Sequence, residues 1–233
     1  MAAPFFYEPD ILPESKNYIL SEESSRHCIQ VLRMKVGEHL NLTNGKGVLM
    51  DTTITISDKK HCTVSIHQLQ ITKPLQRKVS IALSPVKSST RLEWFLEKAT
   101  EIGVSEITPL ICQRTEKQHF RYSRLNGILI SAMLQSQQCW LPVLHEPIGF
   151  ESFVTLSMYS QKFIAHCIED AKKDLRDFIL ATDNQLLIGP EGDFTQQEIQ
   201  LATVNNYMPV SLGKTRLRTE TAALVGATLL MNL

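Results

Sequence analysis

The stretch LLIGPEGDFTQQEI (residues 186–199), read with PVSLGKTRLRTETAALVGA (residues 209–227), decides the fold of the larger part of the chain. Each begins as an apolar run, ends in a glycine-bearing turn and then enters a helical pattern. A short apolar run without polar alternation fits a strand buried on both faces of a parallel sheet. Turns at the ends of such strands are where α/β proteins place ligands. The second turn also carries Arg216 and Arg218 beside Glu220.

The same rhythm extends back to residue 73. Residues 79–83 predict a buried strand, followed by a loop over residues 84–89. A helix then places Leu92, Phe95, Leu96, Ala99 and Ile102 on one face and closes at Gly103. Strands over 107–111, 163–167, 186–188 and 210–212 alternate with helices over about 123–138, 196–205 and the C-terminal stretch. That alternation predicts a parallel α/β sheet. Residues 1–72 read differently. Runs at 38–43, 48–57 and 62–71, rich in Val, Ile, Thr and Leu, are separated by turns at 44–47 and 58–60. A short helix capped by Ser21 puts Ile29 and Leu32 at helical spacing. The expectation is two domains: a small β-barrel with one helix over 1–72, and an α/β domain over 73–233.

Composition narrows the function. Lys+Arg and Asp+Glu are both 24 of 233 residues, so a chain-wide polyanion affinity is not expected, although a local basic face is compatible. Residues 73–124 hold ten basic against five acidic side chains, a surplus of five (10 − 5) that reads as solvated helix faces or as a phosphate-contacting rim. Five cysteines without a C-x-x-C pair suggest neither a disulfide framework nor a zinc site, and fit the cytosol. His-Cys neighbours at 27–28, 61–62 and 166–167 would point to opposite faces of a strand, which makes them poor chelates; no metal is expected. The N-terminus is acidic and broken by prolines, unlike a signal peptide, and residues 221–233 are too short to span a bilayer.

Two nucleotide motifs fail. Gly213-Lys214-Thr215 lacks the glycine a P-loop needs five residues earlier, where Met208 stands. The G-x-G at 45–47 lies in a hairpin region, not between a strand and a helix. The turn at residues 189–192 is stronger. Gly189 lets a ligand approach the backbone, Pro190 stiffens the turn, and Asp193 or Thr195 caps the next helix. A plain tight turn explains these residues equally well when taken alone. A capping box and surface ion pair would account for Glu220, but leave Arg216 and Arg218 without a role.

Taken together, IGPEGDF and SLGKTRLRTETAA resemble the RsmE family, SPOUT-superfamily enzymes that methylate N3 of a uridine in 16S rRNA. The likeness runs through most of the chain. HCIQVLR (27–33) is similar to the family's H-x-x-x-V-L-R, EKATEIGV (97–104) to its K-x-T-E-L-G-V, and Arg114-Thr115 to its Arg-Ser. Leu134 and Gln138 depart from a family Glu and Arg, Asp193 from a glycine, and Thr215 from an arginine.

The resemblance implies a PUA-like barrel, then a parallel sheet with a C-terminal trefoil knot, and a homodimer that binds S-adenosylmethionine and 16S rRNA in the small subunit. The knot itself runs against general rules for chain threading. The implied cofactor loops are Gly189, Pro190, Glu191 and Gly192, then Leu212, Gly213, Arg216, Leu217 and Thr219, with His166 at the preceding strand end. Arg218 would stabilise charge on the uracil, oriented by Glu220. Asp193, Glu191 or solvent would take the proton. Arg33, Lys73, Arg77, Lys87, Arg91 and Arg114 would contact RNA phosphates. The apolar face of the last helix (Ala222, Ala223, Val225, Leu229 and Leu230) would serve as core or as dimer surface. Two rivals stand beside this reading: a methyltransferase of the same fold with another RNA target, and a non-catalytic RNA-binding module.

Overall fold

A β-rich N-terminal segment and an alternating α/β remainder build two separate sheets in the computed structural model, which describes residues 3–116, 120–168 and 172–232. Lys117, one of the ten basic residues counted above, lies outside the described residues. The chain divides into two compact units: Met1–Pro74 with Met133–Leu141, and Leu75–Ala132 with Pro142–Leu233.

The first unit contains β1 (Phe5–Tyr7), β2 (Asn17–Ile19), β3 (His39–Thr43), β4 (Val48–Ile56) and β5 (Thr63–Ile71), in the order β1-β3-β4-β5-β2. β4 alternates buried and half-buried residues over Val48–Thr53, so one face of the sheet meets the core. That core gathers Phe6, Leu40, Leu42, Met50, Ile54 and Val64 with Cys28 and Met34. Ser21 caps α1 (Glu22–Arg26) by accepting a bond from Ser24 N. The helix then widens into a π turn at His27–Val31, with Leu32 N bonded to His27 O at 3.0 Å. This wider turn shifts the helical phase. Ile29 packs on the core, whereas Leu32 is 42% exposed, contrary to the regular helical spacing expected for the pair.

Met133–Leu141 closes onto this unit through backbone and ring contacts. Gly47 N donates to Cys139 O at 2.8 Å, Leu141 N to Gly45 O at 2.9 Å, and Trp140 Nε1 to Thr72 O at 3.1 Å. Gly47 sits at φ +88°, and a Cβ there would lie 2.6 Å from Thr72 O and 2.5 Å from the Trp140 ring.

The second unit is a parallel sheet. Its strands are β6 (Lys78–Leu83), β7 (Glu106–Ile111), β8 (Val143–Leu144), β9 (Ile148–Gly149), β10 (Gln161–Ala165), β11 (Lys173–Asp174), β12 (Asp183–Ile188) and β13 (Tyr207–Ser211). The order is β11-β13-β10-β12-β6-β7-β8, with β9 paired to β7, and every pairing is parallel. β6 and β12 occupy the middle, and their continuous apolar runs (Ile81, Ala82 and Leu83; Leu186, Leu187 and Ile188) are buried on both faces. Burying each such Leu or Ile contributes about 1.5–3 kcal/mol. The helices are α2 (Ser89–Glu101), α3 (Tyr122–Gln135, which runs past Ala132), α4 (Phe150–Leu156), α5 (Gln196–Val204) and α6 (Thr219–Asn232). α6 packs on α2, β6 and β12. Gly226 makes that approach possible, because a Cβ there would collide with Leu186 Cδ2. Among the described residues, no helix is long and apolar enough to cross a membrane.

Gly47→Ala is expected to destabilise the first unit by about 2–4 kcal/mol, combining a left-handed backbone penalty with overpacking against Thr72 and Trp140. Urea denaturation followed by Trp140 fluorescence, with Trp94 replaced by phenylalanine, measures it.

Candidate active site

Because the strands run parallel, the loops after β6, β7, β10, β12 and β13 leave the same edge of the sheet, where open α/β sheets hold ligands. The loop after β12 is fixed at several points. Asp193 N donates to Pro190 O at 2.9 Å and closes the turn. Both Asp193 carboxylate oxygens accept backbone amides, Oδ1 from Phe194 N and Oδ2 from Cys167 N, each at 2.8 Å. Asp193 adopts φ +63°, a conformation that glycine enters without cost and that Asp tolerates. This conformation accounts for an aspartate standing where the family has glycine. With both oxygens spoken for, Asp193 is a structural acceptor rather than a free proton acceptor. Of the two cap candidates, Thr195 takes the role: it caps α5 in a reciprocal box with Glu198, whose Oε1 also accepts Gln113 N from the β7 loop at 2.8 Å.

The loop after β13 meets the loop after β12 directly. Thr219 Oγ1, at the start of α6, donates to Gly189 O at 3.1 Å. Between the two loops lies a cavity of about 410 Å³, lined by Gly189, Pro190, Glu191, Arg216, Leu217, Arg218 and Thr219, together with Arg91 from α2. Ala165, Cys167, Ile188, Asp193 and Ala222 complete the wall. This volume falls within the range of small-molecule sites.

Six of the ten residues expected to hold a cofactor or its loops therefore surround one cavity. His166, Gly192, Leu212 and Gly213 do not line it: the first belongs to the strand-end set and the other three to the two loops. That leaves Gly189, Pro190, Glu191, Arg216, Leu217 and Thr219 as lining residues, with Arg218 alongside them. His166 is buried, and Lys172 Nζ donates to its carbonyl at 2.6 Å, while its neighbours Ala165 and Cys167 face the cavity. These two neighbours went unnoticed in the sequence because nothing in their residue types marks a ligand wall.

Contrary to the sequence expectation, Glu220 pairs with Arg91 rather than orienting Arg218. It is 6% exposed in the first turn of α6, and its Oε1 lies 3.6 Å from Arg91 Nε of α2. The reason is packing: α6 lies against α2, so a residue of its first turn reaches that helix, while Arg218 precedes the helix on the cavity side. Among the described residues, the side chains of Arg216 and Arg218 make no hydrogen bond or ion pair and remain available to a ligand.

The cations expected to contact phosphate are less bare than their sequence suggests. Arg77 Nη1 donates to Leu230 O at 3.1 Å near the end of α6, a favourable place for a cation. Lys87 pairs with Glu116 at 2.6 Å; this hydrogen bond raises the Lys87 pKa, and Glu191 adds to the effect. Arg114 Nη1 donates to Gly192 O at 2.7 Å. Arg91 is the partner of Glu220. Arg33 and Lys73, both exposed, make no side-chain hydrogen bond or ion pair among the described residues.

A second cavity, of about 500 Å³, opens near the amino ends of the strands, where Lys78, Glu106 and Asp183 line it. It is larger, but it lies at the edge of the sheet away from the two loops. The loop cavity is therefore the candidate active site.

A family model described as an RNA methyltransferase domain matches residues 73–231, and one described as an RNA methyltransferase PUA domain matches residues 20–66. A solved ribosomal RNA small subunit methyltransferase E from Neisseria gonorrhoeae, bound to S-adenosyl methionine, is 30% identical, with 97% of this chain and 95% of that one covered and a TM-score of 0.87. The chain belongs to the ribosomal RNA small subunit methyltransferase E family. Two further proteins are similar over most of their length. The enzyme of that name from Rickettsia conorii is 27% identical over 91% of this chain and 88% of its own length. A solved Porphyromonas gingivalis protein is 38% identical, with 96% and 95% of the two chains covered and a TM-score of 0.89.

Thr219→Val is expected to cost about 1–3 kcal/mol of stability by leaving the Gly189 carbonyl without its partner. Thermal unfolding of the variant beside wild type measures the loss.

Proposed function

We propose that this chain transfers the methyl group of S-adenosylmethionine to N3 of a specific uridine in 16S rRNA, within the small ribosomal subunit, as a cytoplasmic homodimer. Residues 1–72 serve as the PUA-like RNA-binding domain. Residues 73–233, apart from the Met133–Leu141 segment that packs within the first unit, form the SPOUT methyltransferase domain, with its C-terminal chain threaded as a trefoil knot. Family membership supports the reaction class. The observation that carries the residue roles is the cavity between two tied loops, with an unpaired arginine at its wall.

The cavity suits this cofactor. Its volume and the Gly189-Pro190 wall accept an adenosine-sized group along backbone. The residues that would hold it are Gly189, Pro190, Glu191, Leu217 and Thr219. S-adenosylmethionine, when bound, supplies an electrophilic methyl carbon.

Uracil N3 carries a proton at neutral pH, so the reacting base is anion-like, with charge on its two carbonyl oxygens. The Arg218 guanidinium, fixed in charge and free of protein partners, donates to those oxygens as the charge develops. One preorganised donor of this kind lowers the barrier by about 2.7–4 kcal/mol. The proton leaves to solvent or to Glu191, since the oxygens of Asp193 are already bonded. Arg33 and Lys73 supply phosphate contacts. The homodimer reading rests on the half-buried side of α6, Ala222, Val225 and Leu229. Ala223 and Leu230 are fully buried within the chain and are unavailable to a partner.

Arg218→Ala should lower single-turnover methyl transfer to unmodified small subunits by about 100–1000-fold with cofactor affinity retained. Mass spectrometry of rRNA nucleosides tests the substrate: a strain lacking the gene should lose N3-methyluridine alone. Loss of a different methylated nucleoside would select the rival target, and loss of none the non-catalytic module. Arg33→Ala and Lys73→Ala should each reduce the log–log salt slope of single-stranded RNA binding by about 0.7 in a filter-binding titration.

A further inference from the structure

Arg114 stands at a junction that the proposed reaction does not explain. It is exposed, on the loop after β7, and spends one N–H on Gly192 O at 2.7 Å. Its aliphatic stem runs along the same residue, since a Cβ added to Gly192 would meet Arg114 Cδ at 3.4 Å and Cβ at 3.7 Å. A guanidinium has five N–H donors in a rigid fork, so a side chain bonded once to a carbonyl keeps a face for an oxyanion.

The base of this side chain is fixed from below. Thr115 Oγ1 accepts Cys112 N at 2.8 Å and shares a 2.7 Å hydrogen bond with Ser84 Oγ, while Gln113 N is held by Glu198. The guanidinium therefore extends from an ordered turn onto the glycine loop that walls the cavity. The other bonds on that loop come from Thr219 Oγ1, from backbone amides to Asp193 and from the internal turn. Arg114 is the solvent-exposed cation among these contacts, and hence the contact a phosphate in solution can also reach.

We propose that Arg114 is a positioning residue that couples RNA binding to cofactor binding. Its guanidinium holds the Gly192 carbonyl with one N–H and an RNA phosphate with the others, so each ligand orders the loop needed by the other. This inference rests on the chain being an RNA methyltransferase that binds S-adenosylmethionine in the loop cavity. Coupling between two sites is reciprocal and commonly amounts to about 5–150-fold. A single shared arginine at an exposed position places the expectation at the low end, about fivefold.

The test is equilibrium dialysis of radiolabelled S-adenosylhomocysteine, which binds without turnover, against the full chain alone and with saturating unmodified small ribosomal subunits. Wild type should bind it about fivefold more tightly with subunits present. Arg114→Ala should bind it more weakly without subunits and show no gain when they are added, with an unchanged melting profile. Arg114→Lys, which keeps the charge but not the fork, should retain much of its subunit affinity and lose the coupling. An unchanged fivefold gain in Arg114→Ala would overturn the proposal, leaving Arg114 as a phosphate contact alone. Equal weakening with and without subunits, the gain intact, would also overturn it and leave a structural strap. If Arg114→Ala fails to fold, Arg114→Lys decides by the same comparison: a retained gain overturns the coupling. Failure of wild type to bind S-adenosylhomocysteine at all would instead remove the cofactor reading on which the coupling rests.

Discussion

The hydrogen bond from Thr219 Oγ1 to Gly189 O joins two chain segments thirty residues apart and makes one cavity out of two loops. Its geometry depends on everything beneath it. β12 must deliver Gly189 at the middle of the sheet, and α6 must begin beside it. α6 can lie that close to β12 because Gly226 leaves room for Leu186. A buried carbonyl at the end of a strand needs a donor, and the hydroxyl of Thr219 supplies one without bringing a charge into the wall. The arginines on either side of Leu217 are consequently spared structural work.

That division of labour separates the charged groups at this edge of the sheet. Glu220, Arg91, Asp193, Glu198 and Arg114 are all committed to protein partners, whereas Arg216 and Arg218 are not. A carboxylate buried as deeply as Glu220 requires compensation, and Arg91 provides it from α2. Both unpaired arginines line the cavity, where Arg91 is already held by Glu220. An uncommitted, permanently charged donor costs no rearrangement when negative charge appears on a bound base, which is why it suits a transition state better than an ion-paired one.

The core strands and helices were legible because their signals are local. Continuous apolar runs marked β6, β7 and β12, and Ser21 marked the start of α1 correctly. The π turn after α1 was not legible, since it depends on a backbone bond from Leu32 to His27 rather than on residue type. β8, β9 and β11 have two residues each, too few to distinguish a strand from a loop, and α4, at seven residues, spans only about two turns. In the site, glycines and arginines drew attention to the right loops. Partnerships across the fold were another matter. Glu220 adjoins Arg218 in sequence yet pairs with Arg91, because helix packing, not adjacency, sets where a first-turn side chain points. Likewise, Ala165 and Cys167 line the cavity through their position at and just past the end of β10, while the more conspicuous His166 does not.

The basic residues carry the same argument further. A surplus of positive charge over residues 73–124 suggested a rim facing RNA, and a count of charges treats every cation alike. The structure distinguishes them by what each already holds. Arg77 holds a helix carbonyl, Lys87 a carboxylate, Arg91 a buried carboxylate and Arg114 a loop carbonyl. Only a guanidinium with a backbone carbonyl as partner keeps both its full charge and most of its donors. Arg77 meets that description at the end of α6, far in sequence from the glycine loop it does not touch. Arg114 meets it on the loop itself, and so it is the cation through which a phosphate outside the cavity can act on the wall of the cavity.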